Sequence, residues 1–359
     1  MMKAWVLRSI GEIEYSDVEV PSPKDNEVLI RVKAAGICGS DIPRIYETGA
    51  HNMPLVPGHE FSGVVEELGK KVDPSWLGKR VAVFPKIACG KCPSCRQGLF
   101  DNCQNYDYIG SRRDGAFAEF VTSPAGNLLE LSDSVSFEEG AMTEPLAVAA
   151  NAVRRGCLAS GTTISPDSPV AVCGLGTIGV MVVMFLKEAG FENIYAVGNK
   201  EPQKERLKAL GIPADHFINS RNENVPEWLK DNTCGGVSAF FECVGKNECI
   251  DYGIEATAPC GRLVLVGNPY SDMSFSRDTY WKILRKQLSL IGIWNSSFRQ
   301  VPDEAGRPDD WHYVLNRVAE SRISPKILIS HRLPLSELET GLHIMRDKTE
   351  DYCKVMIQE

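Results

Sequence analysis

The sequence predicts a two-domain α/β protein in which a small β-barrel accompanies a doubly wound parallel sheet. Three observations support this prediction. At 359 residues the chain is too long for one ordinary core. Its first part has short runs of Val, Ile and Leu broken by Gly and Pro, which is typical of barrel strands. From residue 169 onwards strand and helix patterns alternate, which indicates βαβ units.

The barrel domain is predicted from both ends of the chain. Its strands are expected at residues 3–8, 28–35, 61–67, 80–84 and 115–121. Apolar residues then recur at helical spacing through residues 134–158. The end of the chain, with helices at 309–321 and 336–346 and a strand at 354–358, no longer alternates like the middle, so we expect it to return to the barrel. The predicted domains are 1–150 with 294–359, and 151–293.

A glycine motif begins the parallel sheet. Strands are predicted at residues 170–173, 194–197, 238–242, 262–267 and 288–293. After the first strand, Gly174 permits a tight turn, Gly176 lets a pyrophosphate approach the backbone, and Gly179 lets helix and strand pack closely. Thr177 and Ile178 open a helix whose free N–H groups favour phosphate. This context predicts a dinucleotide site, with a purely structural glycine turn as the alternative.

The end of the second strand bears on the choice of coenzyme. An NAD site places Asp or Glu about twenty residues beyond the glycines, where the carboxylate accepts from the ribose hydroxyl. This sequence has Gly198, Asn199 and Lys200 there instead. An amide and an ammonium suit a ribose phosphate, so we expect NADP in preference to NAD. The alternative is that Lys200 is a solvated loop charge.

Cysteines are abundant, at twelve in the chain. Four of them form two overlapping CxxC steps with a fourth thiol nearby: Cys89, Cys92, Cys95 and Cys103. Four thiolates at this spacing predict a closed, structural zinc site, and a redox-active CxxC is the alternative. Seven others stand singly and are expected to be buried packing thiols: Cys157, Cys173, Cys234, Cys243, Cys249, Cys260 and Cys353.

The twelfth cysteine, Cys38, follows a predicted strand, and His59 and Glu60 come shortly afterwards. A thiol, an imidazole and a carboxylate form a mixed ligand set of the kind that catalytic zinc uses, with one position left for water or substrate. Each residue alone would be weak evidence, because a His beside a Glu is more often a surface pair.

The net charge and the hydropathy of the sequence argue against a nucleic-acid-binding protein, a membrane protein and an exported protein. Lys and Arg number 39 against 47 Asp and Glu, a formal net charge of −8, which argues against a nucleic-acid partner. The longest apolar run of interest, residues 178–186, is about half a membrane span. The start of the chain lacks the apolar region of an export signal, so we expect a cytoplasmic protein without a membrane partner.

These motifs together resemble the zinc-dependent medium-chain dehydrogenase/reductase family over nearly the whole chain. The resemblance rests, in order, on Cys38-Gly-Ser-Asp, Gly58-His-Glu, the four-cysteine loop, Glu144-Pro-Leu and the glycine motif. Glu60 together with Glu144-Pro145 favours the polyol, sorbitol dehydrogenase-like branch. The resemblance implies a GroES-like β-barrel catalytic domain, a Rossmann coenzyme-binding domain, two zinc ions per chain, and a homodimer or homotetramer.

The resemblance also implies roles for individual residues. Cys38, His59 and Glu144 would hold the catalytic zinc, with Glu60 near or in its coordination shell, and Ser40 would pass the proton of the substrate hydroxyl outward. The implied reaction is hydride transfer between NADP and a polyol or polyol phosphate. Three basic residues are candidates for binding a substrate phosphate: Arg44, Arg112 and Arg113.

Two other interpretations of the function remain open. The substrate of the same chemistry could be an unphosphorylated polyol or a simple secondary alcohol. In a different class, the chain could be a nucleotide-sensing protein that kept the fold and lost the chemistry. The intact set of Cys38, His59, Glu60 and Glu144 favours an enzyme, since a sensor needs no open metal site. Metal content would discriminate between them.

Overall fold

The computed structural model describes residues 1–158, 163–299, 306 and 308–359. Its internal contacts divide the chain into two compact units. The first unit comprises Met1–Pro145 and Ser297–Glu359, and the second comprises Leu146–Ser296. Among the described residues, none of the helices is both long enough and apolar enough to span a bilayer.

The described strands and helices follow one another along the whole chain. The strands are β1 Met2–Ser9, β2 Glu12–Val18, β3 Glu27–Gly36, β4 Glu60–Leu68, β5 Arg80–Val83, β6 Lys86–Ile87, β7 Asp107–Tyr108, β8 Phe120–Pro124, β9 Leu128–Glu130, β10 Val170–Cys173, β11 Ile194–Gly198, β12 Phe217–Asn219, β13 Val237–Glu242, β14 Thr257–Leu265, β15 Ser289–Gly292, β16 Ile329–Pro334 and β17 Lys354–Gln358. The helices are α1 Asp41–Pro43, α2 Pro93–Arg96, α3 Phe137–Ala141, α4 Thr143–Cys157, α5 Thr177–Glu188, α6 Glu201–Ala209, α7 Val225–Asn232, α8 Asn247–Ala256, α9 Arg277–Arg285, α10 Asp310–Ala319 and α11 Leu338–Asp347.

The first unit is built around β3, which pairs antiparallel with β4, β8 and β17. The sheet has the order β16-β17-β3-β4-β5-β9, and two hairpin-like pairs, β1-β2 and β6-β7, stand beside it. Val28, Ile30 and Val32 alternate along β3 and are buried in one apolar cluster with Phe61 and Phe117. The strand predicted at residues 28–35 is therefore present, as Glu27–Gly36.

The second unit is a six-stranded sheet of order β12-β11-β10-β13-β14-β15, and every neighbouring pair in it is parallel. Residues 170–173 of β10 are fully apolar and buried, as expected for a strand covered on both faces. The predicted fold class, a β-barrel domain with a doubly wound domain, is confirmed. The short strand β12 and helices α7–α9 were not predicted.

The strand predicted at residues 115–121 is displaced along the chain. The structure begins β8 only at Phe120, and before it Ala118 makes a single bridge to Ala4. The backbone N–H groups of Ala116 and Phe117 donate instead to the carbonyls of Gly58 and Pro57. This segment therefore packs against the loop that precedes His59, rather than extending a strand.

The packing role predicted for the seven single cysteines holds for only some of them. Cys157, Cys173, Cys249 and Cys353 are buried. Cys243 is half-buried, whereas Cys234 and Cys260 are exposed, which contradicts the expectation. Both exposed residues have φ values in the left-handed region, 53° and 62°, where non-glycine residues are uncommon. Cys234 lies in the turn after α7, and Cys260 lies within β14.

Candidate active site

The pairing of β3 with β4 brings the predicted metal ligands together. Gly36 lies opposite Glu60 in this antiparallel pair, so Cys38, just beyond β3, meets His59, just before β4. Donor atoms of Cys38, His59 and Glu60 all lie within 4.8 Å of one another. Gly36 leaves the room they need, because a Cβ there would stand 2.3 Å from Oε2 of Glu60.

A buried carboxylate orients the histidine of this cluster. Oδ1 of Asp41 lies 3.5 Å from Nδ1 of His59, and its Oδ2 accepts a hydrogen bond of 3.0 Å from the N–H of Cys38. Although burial disfavours the charged imidazole, Asp41 raises the pKa of His59 well above its usual value. The Arg44 guanidinium contacts Asp41 at 2.5 Å. Asp41 therefore connects one metal-ligand candidate to one phosphate-binding candidate.

Glu144 lies in the first turn of α4 and is buried. It stands outside the 4.8 Å cluster of Cys38, His59 and Glu60. Burial raises the pKa of Glu144 to about 7, and the negative charge of Glu60 acts in the same direction. Glu144 is therefore close enough to the cluster for the charges of the cluster to influence its pKa.

Lys354 supplies one compensating charge. Its ammonium pairs with Oε2 of Glu60 and donates a 3.0 Å hydrogen bond to the carbonyl of Ile37. Both charged side chains are only 2% exposed. Burial opposes protonation of Lys354, but Glu60 and Cys38 outweigh it and raise the pKa of the amine.

The donor set fits a divalent cation. A thiol, an imidazole and a carboxylate converge, and a second carboxyl group, that of Glu144, is buried nearby. Burying so many acidic groups together is costly unless a positive charge lies among them. In the part of the chain that the structure describes, Glu60 is the carboxylate that pairs with Lys354. Among the described residues, Nδ1 of His59 has no hydrogen-bond partner within normal geometry, and Oδ1 of Asp41 lies 3.5 Å from it. These residues are suited to hold zinc.

Two hydroxyl groups stand beside the cluster. Oγ of Ser40 lies 3.3 Å from Sγ of Cys38, as expected for a residue two positions further along. The ring of Tyr108 meets the His59 ring edge-on, with centroids 5.8 Å apart. Burial and the charges of Glu144 and Cys38 raise the pKa of Tyr108 well above its ordinary value, so the phenol stays protonated.

The four-cysteine loop forms a second convergent set. Donor atoms of all four lie within 4.8 Å, with Sγ–Sγ distances of 3.5 Å for Cys92–Cys95, 3.9 Å for Cys92–Cys103 and 4.0 Å for Cys89–Cys95. Four sulfurs at about 2.3 Å from a tetrahedral zinc ion would be about 3.8 Å apart. None of the four is in a disulfide. The loop is therefore suited to a structural zinc.

The other basic candidates are placed differently from Arg44. Arg113 donates to Oε1 of Glu27 at 2.9 Å and to the hydroxyl of Thr122 at 3.1 Å. The Arg112 guanidinium lies over the ring of Tyr106, 4.3 Å from its centroid. The structure thus places Arg44 next to the metal-ligand cluster, whereas Arg113 binds Glu27 and Thr122 elsewhere in the first unit.

In the second unit, the predicted coenzyme residues meet at one edge of the sheet. Strands β10 and β11 are parallel, and Cys173 pairs with Val197, so the glycine turn and residues 198–200 follow neighbouring carboxyl ends. Gly174 has a φ of 92°, and a Cβ on Gly179 would lie 1.8 Å from the Gly174 carbonyl oxygen. A Cβ on Gly176, by contrast, would meet no atom within 4 Å. The backbone at Gly176 is therefore open to approach.

The side-chain amide of Gln203 holds the turn after β11 in place. Oε1 of Gln203 accepts hydrogen bonds from the N–H groups of Asn199 and Lys200, at 2.9 and 3.2 Å. The same oxygen would be only 2.7 Å from a Cβ on Gly198, which Phe217 also crowds. An acidic side chain at position 198 would therefore displace its neighbours.

Sequence reasoning missed Asp41, Lys354 and Tyr108 as members of the site. Asp41 is part of the Cys-Gly-Ser-Asp motif, so its spacing could have indicated a role. Lys354 is 294 residues from Glu60, and only the pairing of β17 with β3 brings it there. Nothing local marks such a contact. Tyr108 follows the four-cysteine loop, whose fold decides its position.

The chain is similar to known proteins over most of its length. Residues 24–133 match the model of the alcohol dehydrogenase GroES-like domain, and residues 177–319 match that of the zinc-binding dehydrogenases. Galactitol 1-phosphate 5-dehydrogenase of Escherichia coli K12 is 31% identical over 338 residues, 92% of each chain. A crystal structure of galactitol-1-phosphate dehydrogenase from Escherichia coli has a TM-score of 0.87, at 29% identity over 100% of both chains.

Two further similarities concern the polyol branch and the coenzyme. Sorbitol dehydrogenase of Bacillus subtilis is 32% identical over 275 residues, 75% of each chain. A zinc-binding dehydrogenase from Sinorhizobium meliloti, crystallised with NADP, has a TM-score of 0.86 at 27% identity, covering 100% of this chain and 99% of its own.

Proposed function

Because this chain belongs to the zinc-dependent medium-chain alcohol and polyol dehydrogenases, we propose that it oxidises a secondary hydroxyl of a polyol or polyol phosphate with NADP⁺. Zinc, when bound, acts as a Lewis acid that lowers the pKa of the substrate hydroxyl, and the nicotinamide accepts the hydride. The observation that carries the proposal is the convergence of Cys38, His59 and Glu60 beside a buried Glu144.

The residues of the chain have distinct tasks in this proposal. Cys38, His59 and Glu144 hold the metal, with Glu60 at or near its shell. Asp41 orients His59, because an outer carboxylate against the far nitrogen fixes a ligating imidazole. The hydroxyl of Ser40, beside the Cys38 sulfur, takes the proton of the substrate hydroxyl and passes it outward.

Arg44 supports a phosphorylated substrate. It lies beside the cluster, and its guanidinium contacts Asp41 through Nη1, which leaves other N–H groups for a phosphate. An unphosphorylated polyol is the second candidate, and one observation favours it: Arg44 and Arg113 both already have carboxylate partners, Asp41 and Glu27.

A substrate panel separates these candidates. With zinc-loaded protein and NADP⁺, kcat/KM for a hexitol phosphate should exceed that for the parent hexitol by about 10- to 100-fold, the worth of a hydrogen bond to a charged group. Arg44→Gln should remove most of this preference, and the control Arg113→Gln should keep it. Equal kcat/KM for both substrates would favour the unphosphorylated polyol. Failure to oxidise any alcohol would instead favour the nucleotide-sensing alternative.

NADP preference is proposed from the turn at residues 198–200. It lacks a carboxylate that would repel a ribose phosphate, and the crowding at Gly198 disfavours adding one. We expect Lys200→Ala to raise KM for NADP⁺ by about 10- to 100-fold while leaving KM for NAD⁺ nearly unchanged, because only NADP⁺ carries the phosphate. Lys204→Ala, in helix α6 just after Lys200, is the control. A higher kcat/KM with NAD⁺ than with NADP⁺ in the unaltered enzyme would refute the preference.

We also propose that two copies associate through β15. This strand is at the edge of the six-stranded sheet, and Leu290 within it and Trp294 just beyond it are 39% and 55% exposed. A two-fold axis would let β15 pair antiparallel with its own copy. Leu290→Lys should lower the mass measured by light scattering to that of a monomer at micromolar concentration. Ile327→Lys, an exposed change in the first unit, should not. A monomeric parent protein would contradict the proposal.

A further inference from the structure

Tyr108 lies against the metal-ligand cluster, and no step of the proposed chemistry uses it. Its ring contacts the His59 ring at 5.8 Å and an interplanar angle of 64°. Its position is well defined, because β7 pairs with β6 through Lys86 and Tyr108, and the following residue, Ile109, is fully buried. The ring of Tyr106 meets it edge-on at 6.2 Å. The phenol is therefore held in place by its surroundings.

The hydroxyl of Tyr108 is available as a donor. Among the described residues, none accepts a hydrogen bond from its Oη or donates one to it. The residue as a whole is half-buried. Because its ring meets the ring of His59 edge-on, the phenol lies next to the metal-ligand cluster. A protonated phenol next to a metal site can donate to a neutral oxygen of a bound molecule.

We propose that Tyr108 is a specificity-determining residue that donates a hydrogen bond to a second hydroxyl of the substrate, on the carbon next to the one oxidised. This inference rests on the proposed dehydrogenase function. The metal-ligand cluster would receive the reacting hydroxyl, and a polyol would offer its neighbouring hydroxyl to Oη. A simple secondary alcohol would leave this donor unpaired, and sites built to bind a hydroxyl discriminate against analogues without one.

The inference can be separated from a purely packing role. Tyr108→Phe keeps the ring and its edge-on contact with His59, and removes only the hydroxyl. We expect KM for xylitol or sorbitol to rise by about 10- to 100-fold, kcat to change by less than about threefold, and both constants for 2-butanol to stay the same. Tyr106→Phe is the matched control, because it removes a neighbouring phenol, and it should leave all four constants unchanged. Zinc content should be the same in every variant.

The outcomes distinguish this inference from the proposed function. If the enzyme oxidises polyols and Tyr108→Phe has the same KM as the parent, or loses activity equally on polyols and 2-butanol, the inference about Tyr108 is wrong and the function stands. If no alcohol is oxidised, the proposed dehydrogenase function is wrong. Calorimetric titration of xylitol into the zinc-loaded protein then tests whether Tyr108 contributes to polyol binding. Weaker binding of xylitol by Tyr108→Phe than by the parent protein would support the proposed hydrogen bond from Tyr108. Equal binding, or no binding by the parent, would overturn it.

Discussion

Replacing Cys38 with serine is expected to remove one of two zinc ions per chain and to lower kcat/KM by at least about 10³-fold, since Lewis-acid activation contributes several kcal/mol. The Cys38 sulfur is one of three donors within 4.8 Å, and a serine hydroxyl is a poor replacement for it as a zinc ligand. Zinc counted by mass spectrometry, together with steady-state kinetics, provides the measurement.

The control for this result is Cys103→Ser in the other cysteine cluster. It should also leave one zinc, but its main effect should be a lower melting temperature, because the four-cysteine loop is closed around its site. Retention of both zinc ions by Cys38→Ser with full activity would contradict the assignment of Cys38. Circular dichroism of each variant checks that the loss is not one of folding.

Replacing Lys354 with methionine is expected to destabilise the metal-free protein by about 3–5 kcal/mol, the cost of leaving one member of a buried ion pair without its partner. Glu60 would then be 2% exposed with no ammonium beside it. With zinc bound the loss should be smaller, because the ion supplies positive charge to the same carboxylate. Denaturant unfolding with and without a chelator measures both values.

Lys33→Met is the matched comparison for Lys354→Met. Lys33 also belongs to the central sheet and pairs with Glu359, but these two side chains are 33% and 40% exposed. Exposed pairs contribute about 0–1 kcal/mol, so its loss should be small and insensitive to zinc. Similar losses in the two variants, or a Lys354→Met effect that zinc does not change, would show that the buried pair has no link to the metal site.

Local patterns in the sequence were enough to predict five of the six strands of the second unit, all but β12. Each strand of a parallel sheet covered on both faces is a short apolar run, and Val170–Cys173 before the glycine turn is such a run. The start of β14 was placed too late, at residue 262 rather than at Thr257. The early part of this strand holds Pro259 and Cys260, whose φ of 62° interrupts the regular pattern.

The site was predictable where its chemistry follows short motifs. Cys38 and the pair His59 and Glu60 stand near strand ends, and the structure brings them together. The contribution of Lys354 depends on which strand β17 pairs with, and local periodicity does not contain that information. Glu144 is a third case. The Glu-Pro-Leu motif suggested that it is a metal ligand, but its distance from the cluster depends on where α4 begins, which the motif does not determine.

The pairing of β17 with β3 has a consequence for biosynthesis. The N-terminal strands emerge first from the ribosome, but the sheet that holds Cys38 and Glu60 cannot close until residues 354–358 have been translated. All of Leu146–Ser296 is made in between, and that unit contains every strand of its own sheet. Domains tend to fold as units during synthesis. The unit that starts the chain should therefore be the last to mature, and metal loading should follow the folding of the coenzyme-binding unit.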